Sequence, residues 1–564
     1  MLGNRAGRWR VAPSKVVGCR ETLGVWRRAG MRGRRVAAVA GLGCLAVSWL
    51  TAADAPRPAT KWLHRPDESA RVARVEAGLE AVPLPGGEHL RLTLAEWMAL
   101  YKLPGLSIAV FDGHSLRWAK SFGVKQAGGT EPVTLDTLFQ AGSISKPMTA
   151  LAVAHHAQRG RWSLDEDVNG KLVSWKVPDS PFTRERKVTL RRLLSHSAGL
   201  PMHGFDGYAS GAPVPTLLES LEGKAPANSP PVRVVAEPGT VARYSNLGLS
   251  VVQQVMEDVL EKPFARIMRE TVLQPLDMKH STFEQPLPQA LAPLAAVGTR
   301  ADGSSLPGGW HTYPDQAAAG LWTTPSDLAR FAMEVSKARA GTSRRVVSRA
   351  MAKELLSRQG PEPTGPKPPP PWQPERFGLG FRLQEDPNYF AHGGWVEGYR
   401  SQLVAYSNTG SGVVLMTNSD NGRFLLSMLA DAVAREYGWK GHVFIPRGPY
   451  ATADLIVRLK GVDTALAWFK EQHAAGVLEH QSSESLNGLG HDLLRSDKVA
   501  DAVKVFEASV ALFPQDAEAH VGLAEGYVQA GRADAAIACL KKSLVLEPKH
   551  EEALKLLKTL GARP

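Results

Sequence analysis

Apolar and polar positions alternate most clearly at two widely separated places in the chain. Residues 104–124, "PGLSIAVFDGHSLRWAKSFGV", hold two strand-like runs around Asp-Gly-His, a pattern that predicts an antiparallel hairpin. Residues 401–419, "SQLVAYSNTGSGVVLMTNS", predict two further strands around an Asn-Thr-Gly-Ser turn. Between them the period changes. Residues 247–272, "LGLSVVQQVMEDVLEKPFARIMRETV", follow the spacing of an amphipathic helix, broken at Pro263. Strands from both ends of a region with a helical middle predict an α/β (α+β) sandwich: a mainly antiparallel sheet flanked by helices, plus an all-helical part. The Pro-rich stretch 360–375, "GPEPTGPKPPPPWQPE", cannot be helical and predicts a surface loop.

The C-terminal pattern is different. Leu489, Gly490, Leu493, Ala502, Phe506 and Pro514 return 34 residues later as Leu523, Ala524, Tyr527, Ala536, Leu540 and Pro548. The period and residue types resemble tetratricopeptide repeats, each a pair of antiparallel helices, here at 483–516 and 517–550. Small residues at 490, 502, 524 and 536 let the helices approach, and the prolines end the second helix of each pair. Residues 551–560 predict a capping helix and 461–472 a divergent earlier helix, within a helical region over 450–564. Two repeats are few for independent stability, so the region is expected to pack on the main domain or on a protein partner.

With 564 residues, 43% of them hydrophobic, the chain can bury a large core and hold more than one domain. Its net charge of +12 suggests a polyanion partner only until it is located. Nine arginines and Lys15 against Glu21 put +9 in residues 1–53 and leave +3 on the rest, which argues against nucleic acid. Residues 1–53 read instead as a targeting segment. "MRGRR" at 31–35 precedes an apolar run to Leu50 and then small residues, with Met31 as a candidate true start. The expectation is export to the periplasm or exterior with cleavage after Ala53; an uncleaved membrane anchor, a lipidated Cys44 and a twin-arginine reading of Arg34–Arg35 remain open. Only Cys539 follows this segment, so no intramolecular disulfide is expected, and no Cys/His cluster has metal-ligand spacing. No metal or cofactor is expected.

Three clusters carry candidate chemistry. In "AGSISKPMTA" (141–150) Pro147 is tolerated only in a first helical turn, so a helix starts near 143–146. Lys146 then lies one turn after Ser143, on the same face. Burial and the positive helix end both disfavour the ammonium form and would lower its pKa into a working range for a base. In "RYSN" (243–246) Tyr244 and Asn246 stand at a loop-to-helix junction; a nearby cation is expected to lower the phenol pKa, and Asn246 to orient the lysine or a substrate amide. In "FAHGGWVEGY" (390–399) His392, Gly393 and Gly394 read as an edge strand where glycines let a ligand approach.

The ordered set Ser-x-x-Lys, Tyr-x-Asn, His-x-Gly resembles the serine β-lactamase and penicillin-binding-protein superfamily, in its class C β-lactamase-related branch of D-Ala-D-Ala carboxypeptidases, D-aminopeptidases and β-lactamase-like esterases. "VTLRRLLSHSAGLP" (188–201), "VLQPLDMKHSTF" (272–283) and "AAAGLWTTPSDLARFAM" (317–333) support the resemblance, which covers roughly 80–435. It implies a hydrolase domain over 80–440 that cleaves a small-molecule or peptide substrate, peptidoglycan-related or an ester. It also implies Ser143 as acylated nucleophile, Lys146 as its base and Tyr244 as proton shuttle. Asn246 would hydrogen-bond the substrate, His392 would line the opposite wall, and the backbone N–H groups of Ser143 and Trp395 would form the oxyanion hole. His196, Asp327 and Arg330 are implied to be structural. His-Gly-Gly stands where class C β-lactamases usually have Lys-Thr-Gly, which weakens antibiotic hydrolysis; Gly393 removes a hydroxyl that could bind a substrate carboxylate. Trp395 would set a large ring beside the cleft. The competing reading is a ligand-binding scaffold that recruits a protein through its repeats.

Overall fold

The computed structural model describes residues 60–62, 66–77, 79, 82–84, 87, 89–202, 206–361, 376–444, 448–478 and 483–563. The targeting segment 1–53 and residues 362–375 of the Pro-rich stretch lie outside the described residues. Among those described, no helix is long and apolar enough to cross a membrane.

One eight-stranded sheet organises the domain. Its strands in chain order are β1 (Thr60–Trp62), β2 (Gly105–Asp112), β3 (Ser115–Gly123), β4 (Arg376–Phe377), β5 (Arg382–Leu383), β6 (Tyr389–Val396), β7 (Tyr399–Tyr406) and β8 (Ser411–Thr417). The spatial order is β1-β3-β2-β8-β7-β6-β5-β4, antiparallel at every pairing, so the front hairpin meets the C-terminal strands through β2 and β8. The β2–β3 turn is tight because Gly113 and His114 both adopt φ of +59°, as a two-residue hairpin requires.

Period-two alternation sends successive side chains to opposite layers. Ala109, Phe111, Leu403, Ala405, Val414 and Met416 enter a core shared with Leu328, Phe331 and Val335 of one long helix, Pro325–Ala340. Leu106, Ile108, Val110, Val404, Val413 and Leu415 enter a second layer with three others: α1 (Pro66–Ala77), α2 (Leu94–Leu100) and Arg423–Tyr437. The all-helical part packs α3 (Ser145–Ala157), α4 (Asn246–Leu260) and the short α5 (Gln316–Ala319) into the first core; the long helix Pro325–Ala340 is then α6, and Arg423–Tyr437 is α7. The helix α4 ends at Glu261 in the left-handed region, just before Pro263.

The C-terminal region is helical throughout: α8 (Pro449–Lys460), α9 (Val462–Ala474), α10 (Glu484–Arg495), α11 (Val499–Leu512), α12 (Ala517–Gln529), α13 (Ala533–Leu546) and α14 (Glu551–Thr559). Phe506 of α11 explains the small residues. A Cβ on Gly490, Gly522 or Gly526 would fall 2.5 to 2.9 Å from its ring. The array is seated on the second layer of the sheet domain by α8, whose Leu455 is buried there and whose Arg458 lies 4.5 Å above the Tyr101 ring.

Candidate active site

Ser143 lies in a single 3₁₀ turn, Gly142–Ile144, that feeds directly into α3. The helix has no side-chain N-cap, so the Ser143 hydroxyl is not used for capping. It receives the Lys146 amine instead, Nζ to Oγ at 2.9 Å, and Nζ also donates to the Ala318 carbonyl of α5 at 2.9 Å. The structural role falls to Ser145, which is buried: its Oγ donates to Gly142 O at 2.7 Å and accepts from the Leu321 N–H at 3.1 Å. Lys146 is fully buried. Burial, then the Arg382 guanidinium, push its pKa well below the ordinary lysine value, with Asp315 pulling the other way. The amine can therefore act as a base.

Tyr244 enters from the loop before α4. Its ring lies 5.1 Å from Lys146 Nζ, and the Ser143 side chain acts on its phenol in the direction of a lower pKa. Here the structure corrects the sequence expectation. Burial raises the phenol pKa, and the opposing effects of Ser143 and Arg382 do not offset it. Tyr244 is thus a protonated phenol in the resting site, a proton donor rather than a phenolate. His196 positions it: the rings are 4.4 Å apart, and His196 Nδ1 accepts the Ser245 N–H at 3.2 Å. His196 holds φ of +57°, a left-handed conformation costly for a side chain with a Cβ, and burial first, then Lys146 and Arg382, lower its pKa to about 3. Asn246 begins α4; its Oδ1 is buried without a protein partner, and the lysine it was expected to orient is held by Ser143 and Ala318 instead.

His392, Gly393, Gly394 and Trp395 follow one another on β6. The strand is not a sheet edge by order, but β5 pairs only with Phe390 and Ala391, so its outer side is unpaired from His392 onward. His392 is buried behind Tyr244, with ring centroids 6.3 Å apart, rather than open on a wall. Its Nδ1 bonds to Gly393 O at 2.6 Å, and Nε2 has no protein partner. Burial, Arg382 and Lys146 hold its pKa well below the usual imidazole value, so it is neutral. Gly393 is exposed. Gly394 is not replaceable: a Cβ there would stand 1.9 Å from Ala141 O and 2.2 Å from Ser401 Oγ. A Cβ on Gly142, which has φ of +51°, would stand 2.9 Å from Trp395 N. The serine turn and β6 thus meet backbone to backbone, which brings Trp395 N beside Gly142, the residue before Ser143. The Trp395 ring is half-exposed.

Two further residues belong here that the sequence did not single out. Arg382 of β5 places its guanidinium 5.3 Å from the Tyr244 ring, supplying the cation that neutral His392 does not. A charge inside the apolar run "FGLGFRL" was the available signal. Asp315 is fully buried, accepts from Ser250 Oγ at 2.6 Å and has its pKa raised to about 6, chiefly by burial. It stands at the N-terminus of α5, but its side chain makes no capping hydrogen bond. Asp327 and Arg330 pair with each other away from the cleft, and Asp327 ties His280 and Ser281 to α6. Among the described residues no group of His, Cys, Asp or Glu is arranged to hold a metal.

A beta-lactamase family model matches residues 90–436, and a tetratricopeptide-repeat model matches residues 493–560. The chain is 26% identical over 356 residues to the unguisins hydrolase ungD' of Aspergillus campestris, covering 59% of this chain and 61% of the relative. It is 25% identical over 232 residues to the D-alanyl-D-alanine-carboxypeptidase/endopeptidase AmpH of Escherichia coli, covering 40% of this chain and 56% of the relative. The chain thus spans about six tenths of the length of these relatives. The octameric penicillin-binding protein homologue from Pyrococcus abyssi shares the fold, with a TM-score of 0.52 at 23% identity over 65% of this chain and 80% of that one.

Proposed function

The chain belongs to the beta-lactamase family, and on that premise we propose that it is an exported serine hydrolase that cleaves an ester or amide through an acyl-Ser143 intermediate. The observation that carries the reading is the 2.9 Å contact between Ser143 Oγ and a buried Lys146 amine whose pKa is depressed. In acylation the Ser143 proton passes to Lys146 Nζ as Oγ attacks the carbonyl carbon. The oxyanion is received by the backbone N–H groups of Ser143 and Trp395. Tyr244, still protonated, gives its proton to the leaving oxygen or nitrogen, the acyl bond breaks, and the proton on Lys146 restores the phenol. Water then attacks the acyl ester, its proton passes through the same relay to Ser143 Oγ as the ester bond breaks, and the acid is released. Gly393 is exposed to the substrate, and Asn246 Oδ1, buried at the start of α4, has no protein partner.

A peptide or ester substrate is favoured over a β-lactam because His-Gly-Gly replaces Lys-Thr-Gly. The named activities of the relatives, hydrolysis of unguisins and carboxypeptidase/endopeptidase action, support the same choice. Export rests on the segment 31–55. The test is labelling with a fluorescent penicillin and a fluorophosphonate together with turnover of a p-nitrophenyl ester. Wild-type protein is expected to label and to turn over ester, and Ser143→Ala to do neither. A slowly lost penicillin label would mark a peptidase and rapid turnover a β-lactamase. Absence of every signal from wild type would leave the scaffold reading.

A further inference from the structure

The repeats reach the catalytic strand. Arg495, the last residue of α10, lies with its guanidinium 5.7 Å from the centre of the Trp395 ring. That ring is 50% exposed and has two other holds: Arg400 stacks 4.2 Å from its centre, and its indole N–H donates to Asp420 Oδ1 at 3.0 Å. Arg495 is itself fixed. It pairs with Asp492 one turn earlier, and Asp492 also accepts the Tyr450 hydroxyl of α8. The Tyr450 ring packs 5.4 Å from Phe424 and 5.8 Å from the Arg423 guanidinium, both on α7. A chain of contacts therefore runs from the hydrolase layer through α8 and α10 and back to Trp395.

Trp395 is where such a contact matters. Among the described residues the outer side of β6 has no strand partner beyond Ala391, so β7, the serine turn and side-chain contacts fix the path of Gly393–Val396. The Trp395 N–H stands beside the Ser143 turn, and a displacement of about 1 Å in an oxyanion donor is enough to cost much of its stabilisation.

We propose that the first repeat is a working part of the hydrolase: Arg495, acting through the Trp395 indole, is a positioning residue for the oxyanion-binding stretch of β6. The inference rests on the acyl-Ser143 reading for its catalytic consequence, but not for its structural one. A guanidinium on an aromatic face is worth most when the ring is partly withdrawn from water. Here it joins two segments about 100 residues apart in sequence, 395 and 495.

The test uses the full chain with a p-nitrophenyl ester as probe and amide hydrogen exchange as the second measurement. Arg495→Ala is expected to lower kcat about tenfold with little change in KM, and to speed exchange across 392–398 while the rest of the sheet and the melting temperature stay as in wild type. Arg495→Lys, which keeps a cation for the ring, should restore most of both, and Asp492→Asn, which releases the guanidinium, should resemble Arg495→Ala. Wild-type kcat together with wild-type exchange in Arg495→Ala would overturn the proposal, as would a general loss of protection without a local one. If wild-type protein hydrolyses no ester, the catalytic reading fails, and the exchange measurement alone decides whether the repeat holds β6.

Discussion

Lys146→Ala is expected to slow acylation by a penicillin or a p-nitrophenyl ester by about 10²–10⁴-fold, the usual worth of a positioned base. The fold should survive, since a smaller side chain leaves the apolar surroundings of α3 in place. Lys146→Arg is the sharper variant: it keeps most of the length, but a guanidinium stays charged and does not give up a proton, so it should be as slow as alanine. The direction of the pH dependence follows from the depressed amine. The active form is the neutral amine, whose fraction grows as pH rises through its pKa. Because burial and Arg382 bring that pKa far down, the acid limb of kcat/KM should lie well below the ordinary lysine value of 10.5. A limb near 10.5, or wild-type acylation in Lys146→Ala, would remove the lysine from the base role. Tyr244 adds no competing base, because its burial-raised phenol stays protonated over the same range.

Gly394→Ala is expected to cost about 10²–10³-fold in kcat, the effect of losing one oxyanion donor. The new methyl group would meet the Ala141 carbonyl at 1.9 Å and Ser401 Oγ at 2.2 Å. Ser401 Oγ already donates to Ala141 O at 2.8 Å, so the space is bounded by a hydrogen bond as well as by backbone. Strand and turn must separate, and the Trp395 N–H moves away from Ser143. Gly393→Ala is the comparison for strand geometry, because its Cβ would meet only Ser401 O at an ordinary 3.8 Å, and any effect there is expected in KM through the substrate face. Steady-state kinetics on the two variants checks the claim. Equal rates for Gly394→Ala and wild type would mean that β6 supplies no donor.

The long strands were legible because β2, β3, β7 and β8 each run for seven to nine residues, long enough for an apolar run bounded by turn residues to stand out. Arg376–Phe377 and Arg382–Leu383 were not, since two residues have no period. Missing them hid Arg382, and with it the cation that faces Tyr244. Ser143 and Lys146 were readable because Pro147 dates the helix start and helical geometry is local. The state of Tyr244 was not readable. A neighbouring cation can be guessed from motif order, but burial comes from residues such as His196 and Phe377, which lie 48 positions before and 133 after it. Repeat identity was carried by the 34-residue period, whereas the seat of the repeats depends on single contacts such as Arg458 on Tyr101 and Arg495 on Trp395, which leave no pattern in sequence.

The central claim is that the residue acylated is Ser143 and not Ser145, its neighbour on the same turn. The most direct measurement is mass-spectrometric mapping of the adduct after a short reaction with a fluorophosphonate or a penicillin. The account predicts one added group per chain, on Ser143, in the peptide that spans 141–150. An adduct on Ser145 or on any residue outside that peptide, or one that forms equally well in Ser143→Ala, would contradict it.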